Sequence, residues 1–112
     1  MSSWFDGFEA ADHAVNGTVI HARTGGRVGA PPLLLLHGFP QTHVMWHRVA
    51  PALAERYTVV CPDLRGYGAS SRPATDERHA PYSKRATAID VVELMTTLGF
   101  DRFHLAGHDR GA

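Results

Sequence analysis

The sequence predicts an α/β architecture, a parallel sheet with helices packed on it and an antiparallel hairpin at its edge. Three observations carry that prediction. Short, wholly apolar runs alternate with segments of helical periodicity, each run is broken by a Gly- or Pro-bearing loop, and an Asn-Gly pair separates two strand-like stretches. A parallel neighbour can be reached only by a crossover, so strands alternating with helices imply parallel pairing.

The hairpin comes first. Phe8 to His13 and Thr18 to Arg23 flank Asn16-Gly17, and both of those residues tolerate the positive φ of a type I′ turn. A Gly/Pro loop over 24–32 leads to Leu33-Leu34-Leu35-Leu36, which fits a strand covered on both faces. His37-Gly38-Phe39-Pro40 ends it. Trp46, Val49, Ala50 and Leu53 then follow at helical spacing, with Pro51 requiring a kink or a late start. Tyr57 to Cys61 is a second buried strand. Pro62 to Pro73 is a long loop containing Asp63-Leu64-Arg65-Gly66-Tyr67-Gly68.

Ser83 is a candidate N-cap for a helix whose apolar stripe runs through Ala88, Val91, Met95 and Leu98, with Ile89, Val92 and Leu94 beside it. Gly99 closes that helix. Phe103 to Ala106 is a third short strand.

Composition narrows the partners. The chain has 112 residues, eleven basic and eleven acidic side chains, and 44% hydrophobic content, as in an ordinary globular domain. Balanced charge without a basic cluster argues against nucleic acid and membrane surfaces. No apolar run approaches the roughly 20 residues of a membrane span. Cys61 is the only cysteine, which fits a reducing compartment. The first residues show no basic-then-apolar pattern, so the expected location is the cytoplasm.

The chemistry is concentrated in Gly107-His108-Asp109-Arg110-Gly111-Ala112. A Gly-x-Asp-x-Gly string after a strand has the shape of a nucleophile elbow. The turn is tight, so small residues must flank it, and the residue between them is lifted clear at the carboxyl end of the strand. Here that residue is a carboxylate, Asp109. A carboxylate can attack a saturated carbon, giving an ester that water must then hydrolyse. Hydrolysis places negative charge on the ester carbonyl oxygen and needs an oxyanion hole. The expected donors are the backbone N–H groups of Arg110 and of Phe39, the latter in the loop after the first buried strand.

Other polar residues read as supports. His37 fixes its loop and lies beside the expected substrate site. Asp63 and Arg65 organise the second loop. His104 and His108 read as packing or surface residues, Trp46 as core, and Cys61 as inert.

Taken together, the hairpin, His37-Gly38-Phe39-Pro40, Asp63-Leu64-Arg65-Gly66-Tyr67-Gly68 and the elbow resemble the α/β-hydrolase superfamily, in the branch of haloacetate dehalogenases and epoxide hydrolases. The elbow looks most like that of the fluoroacetate dehalogenases, since the other branch members more often carry tryptophan after the aspartate. The resemblance implies the α/β-hydrolase fold, with residues 1–112 as the N-terminal part of one domain and the cap and C-terminal half beyond it.

It also implies haloacetate hydrolysis to glycolate and halide through an aspartyl ester, with Asp109 as nucleophile. Arg110, Phe39 and His37 would contact a small haloacid. No metal or organic cofactor is implied, and a homodimer is compatible with the full-length enzyme. The histidine and acid that complete the machinery lie outside this sequence, so the 112 residues alone are expected to be inactive. The competing readings are an epoxide hydrolase and a non-catalytic fragment or binding protein of the same descent.

Overall fold

Asn16 and Gly17 adopt φ of 47° and 73°, the two positive values that a type I′ turn requires. They join β1 (Glu9–Val15) to β2 (Thr18–Gly26), paired antiparallel from Val15↔Thr18 to Glu9↔Thr24. The computed structural model describes residues 7–27, 29–38, 42–68, 70 and 84–108. The expected N-cap Ser83 lies outside them.

The remaining strands are β3 (Pro32–Leu36), β4 (Thr58–Pro62) and β5 (His104–Gly107), and the sheet order is β1-β2-β4-β3-β5. β2 runs antiparallel to β4, whereas β3 runs parallel to both β4 and β5. The sheet is therefore mixed, with the expected hairpin at one edge and the expected parallel strands beside it.

Alternation along each strand divides the core into two layers. Leu33, Leu35, Val59 and Cys61 pack with Ala50, Trp46 and Leu53 on one face. Leu34, Leu36 and Val60 pack with Val91, Leu94 and Met95 on the other. The loop after β3 thus leads to a helix on one face, and the loop after β4 leads to a helix on the opposite face. Adjacent parallel strands whose connections diverge in this way open a crevice at their carboxyl ends, where α/β proteins bind ligands.

The first helical segment starts late, one of the two outcomes that Pro51 leaves open. His43–Trp46 form a single 3-10 turn whose N-cap, Thr42, accepts from the Val44 N–H through its hydroxyl. α1 (Ala50–Leu53) follows, with Pro51 in its first turn, where its missing N–H costs no helical bond. Trp46 belongs to the core, as expected.

α2 (Lys84–Thr97) ends at Gly99, which has φ of 90°. The Phe100 N–H donates to Met95 O and the Gly99 N–H to Thr96 O, the paired closure of a Schellman motif.

The expected stripe on α2 is corrected. Val91, Leu94 and Met95 are buried and Leu98 is half-buried, but Ala88, Ile89 and Val92 are exposed. The buried face is turned toward Asp90, which is 0% exposed. The reason is a partner on another element. Arg65 Nε and Nη2 each donate to the Asp90 carboxylate at 2.6 Å, and Asn16 Nδ2 donates to Asp90 Oδ1 at 3.0 Å. A two-pronged guanidinium makes a buried carboxylate tolerable where apolar counting would have excluded it. The hairpin turn, the loop after β4 and α2 meet at this one carboxylate.

Among the described residues no helix is long and apolar enough to cross a membrane.

Removing one partner of this pair leaves the other charge buried and unmatched. Arg65→Ala and Asp90→Ala should each lower the unfolding free energy by about 3–5 kcal/mol. The double variant should lose less than the sum of the two. Urea unfolding of the four proteins in a double-mutant cycle checks this.

Candidate active site

Two loops leave the carboxyl ends of β3 and β4, the end at which α/β sheets bind ligands, and hydrogen bonds stitch them together. His37 directly follows β3 and is 0% exposed. The Leu64 N–H donates to its Nε2 at 2.9 Å, so that nitrogen carries no proton. The ring proton therefore sits on Nδ1, which donates to Gly38 O at 3.0 Å. Tyr67 meets the ring edge-on, with centroids 5.0 Å apart.

Burial pushes the His37 pKa below its ordinary value of 6.5, outweighing the Gly38 carbonyl and the Asp63 charge, which favour the cation. His37 is thus a neutral strut between the two loops. Both ring nitrogens are held by main chain, so the ring supports the two loops.

Asp63 is the second junction. Its backbone N–H donates to His21 O at 2.8 Å, and its carbonyl accepts from Ser70 Oγ. The Ser70 hydroxyl in turn accepts from the His21 N–H at 2.9 Å. The Asp63 carboxylate is 1% exposed and reaches back to the first loop. Its Oδ1 accepts from the His43 N–H at 2.7 Å and from His43 Nδ1–H at 2.8 Å.

Gly68 lies against this carboxylate with φ of 52°, so a Cβ there would strike the Asp63 oxygens. Only glycine suits that position. The expectation that Asp63 and Arg65 organise their loop holds for both residues: Asp63 ties it to the first loop and Arg65 ties it to α2.

The third strand brings the elbow's leading residues to the same end of the sheet. Leu36 and Gly107 are register partners, and the His108 N–H donates to Leu36 O at 3.1 Å. The parallel ladder thus runs up to the residue before Asp109. Asp109, Arg110, Gly111 and Ala112 lie outside the described residues, as do Phe39 and Pro40. His104 and His108 are exposed, and the His104 ring meets Tyr57 edge-on, with centroids 5.9 Å apart. Burial pushes the Cys61 thiol up to about 12, so it stays protonated and unreactive, as expected.

Sequence reasoning missed His43 and the buried place of Asp90. Asp90 had a visible signal, a carboxylate one turn before Leu94 on the apolar side of a helix. His43 had none, because its partner lies 20 residues away across a loop.

Comparison with known proteins fits this frame. The sequence profile of the alpha/beta hydrolase fold matches residues 31–112. A fluoroacetate dehalogenase from Burkholderia sp. is 60% identical over 107 residues, covering 96% of this chain and 34% of the relative. A soluble epoxide hydrolase from Corynebacterium sp. is 46% identical over 97 residues, covering 87% and 32%. The crystal structure of an α/β hydrolase from Nostoc sp. superposes with a TM-score of 0.91 at 51% identity, over 96% of this chain and 36% of that one. The chain spans about a third of the length of these relatives.

The neutral state of His37 has a consequence for stability. Because its folded-state pKa lies below 6.5, its contribution is fully present above that pH. As the pH falls below it, the unfolded chain takes up a proton that the folded one refuses. Stability then drops by up to about 1.4 kcal/mol per pH unit until His37 itself titrates. His37→Gln should flatten this segment of the curve by one proton's slope. Urea unfolding of both proteins between pH 7 and the acid limb measures the difference.

Proposed function

This chain belongs to the α/β-hydrolase fold family, and on that premise we propose that the full-length protein is a haloacetate dehalogenase with Asp109 as its nucleophile. One observation carries the reading. The sequence carries a carboxylate, Asp109, in a Gly-x-Asp-x-Gly string directly after His108, whose N–H donates to Leu36 O at the end of the β3–β5 ladder. The closeness in sequence to a protein named fluoroacetate dehalogenase supports the substrate class.

In the proposed reaction an Asp109 oxygen forms a bond to the α-carbon of the haloacetate. The carbon–halogen bond breaks, and halide leaves with its electron pair. Water then adds to the Asp109 carboxyl carbon of the ester and gives its proton to a base. The resulting oxyanion is held by the backbone N–H groups of Phe39 and Arg110. Collapse expels glycolate, which takes up a proton, and frees the Asp109 carboxylate.

The Arg110 side chain holds the substrate carboxylate in a paired, charge-assisted bond and so aligns the neighbouring carbon with Asp109. The proposed location is the cytoplasm. The proposed partner is the small haloacid alone, with neither metal nor organic cofactor.

Epoxide hydrolysis is the second reading, favoured by the relatives named as epoxide hydrolases. It uses the same nucleophile and the same oxyanion hole. A neutral epoxide gives the Arg110 cation nothing to hold, and this ranks it second.

Two measurements decide. The full-length protein should release halide from fluoroacetate and leave styrene oxide untouched, and Asp109→Asn should abolish release. Turnover of styrene oxide alone would replace the first reading by the second, and turnover of neither would favour a non-catalytic protein of the same descent. Arg110→Leu should lower kcat/KM for fluoroacetate about ten- to hundredfold, as expected for the loss of a charged hydrogen bond. A Michaelis–Menten series on the variant checks it.

A further inference from the structure

The loop that carries Phe39 is anchored at both ends, and both anchors are on the loop after β4. At its start, His37 accepts from the Leu64 N–H. At its far end, His43 gives its backbone and ring N–H groups to one oxygen of Asp63. The residue doing this is itself held in place. The Asp63 N–H continues the ladder to β2, its carbonyl accepts from Ser70 Oγ, and its carboxylate is packed against Gly68. A buried carboxylate needs donors, but any donors would do for solvation alone. Here the donors come from the first turn after the Phe39 segment, and one of them is main chain.

We infer that Asp63 is a positioning residue for the oxyanion hole, fixing the far end of the Phe39 loop through His43. The inference rests on the proposed aspartyl-ester chemistry. An oxyanion donor works only when it is aimed at the place where charge develops, and an error of about 1 Å can cost on the order of a hundredfold in rate. Carbon–halogen cleavage puts no charge on the Asp109 carbonyl oxygen, whereas water attack on the ester does. Loosening this loop should therefore slow the second half-reaction and spare the first. A residue that merely stabilises the fold would slow both or neither.

The test follows the alkyl-enzyme adduct on Asp109 by rapid quench and intact mass, using the full-length protein and fluoroacetate in a single turnover. In Asp63→Ala the rate constant for adduct decay should fall at least about tenfold, while adduct formation stays within about threefold of the parent. Asp63→Asn keeps an oxygen that can accept from the His43 N–H, and its decay rate should lie between the two. If Asp63→Ala does not fold, Asp63→Asn and His43→Ala read the same quantity, each with slowed decay and preserved formation.

Equal slowing of both steps, or unchanged decay in the folded variants, overturns the assignment. Failure of the underlying reaction shows in the parent instead. If the parent forms an adduct only with styrene oxide, the same comparison is made on that adduct. If the parent forms none, both readings fall.

Discussion

β3 is hydrogen-bonded along both edges, to β4 and to β5, and its four leucines are buried between the two helical layers. β4 beside it is enclosed in the same way, paired to β2 and β3 with Val59, Val60 and Cys61 buried. A strand in that position can hold only apolar side chains, because every polar atom on it would need a partner that the layers above and below do not offer. It therefore carries no chemistry itself. It sets the direction of its neighbours and delivers the chain to one end of the sheet, where the constraint lifts. His37 is the first residue past it. It is still buried, and its burial is possible because a neutral imidazole has one donor and one acceptor, both of which find main chain.

The same requirement shapes the next loop. Asp63, Leu64 and Arg65 are consecutive and buried, yet they point to different parts of the protein. The Asp63 carboxylate turns to His43 in the loop after β3. Leu64 enters the core layer under α2 and lends its N–H to His37. Arg65 reaches Asp90 on α2. The two buried anions, Asp63 and Asp90, would lose hydration if left alone. Each is instead supplied with donors, Asp90 by a guanidinium and an amide, Asp63 by a backbone N–H and an imidazole. These contacts are directional where apolar packing is not. They orient the loops against each other, while the core only holds the layers together.

How much of this could be read from the sequence follows from how local each cause is. The hairpin was legible because positive φ at Asn16 and Gly17 is a property of those two residues. β3, β4 and β5 were legible because burial on both faces leaves a run of apolar letters, although β4 and β5 shifted by one residue and β3 began one residue earlier. The late start of α1 was legible in Pro51. The face of α2 was misjudged because its orientation depends on Arg65, 25 residues away, and a helical wheel has no term for a distant cation. His43 was invisible for the same reason. At the candidate site, the roles of His37 and Asp63 as supports could be inferred from their places after buried strands. Their actual partners could not, since they are set by which loops the sheet order brings together.

The frame also separates what must stay constant from what is free to vary. In the proposed chemistry, the oxyanion is met by backbone N–H groups, at Phe39 and Arg110, and main chain is the same whatever side chain it bears. The loop that would aim the Phe39 group is held by His37, His43 and Asp63, none of which needs to touch substrate. The side chain at position 110 is thereby released from the chemistry and left to recognise the substrate. An arginine there matches a carboxylate, and an aromatic residue there would match a neutral molecule. A single scaffold can then serve both haloacids and epoxides without moving its nucleophile. In the proposed chemistry selectivity would lie in the residue after Asp109, and the rate of ester hydrolysis would lie in the buried contacts that hold two loops in register.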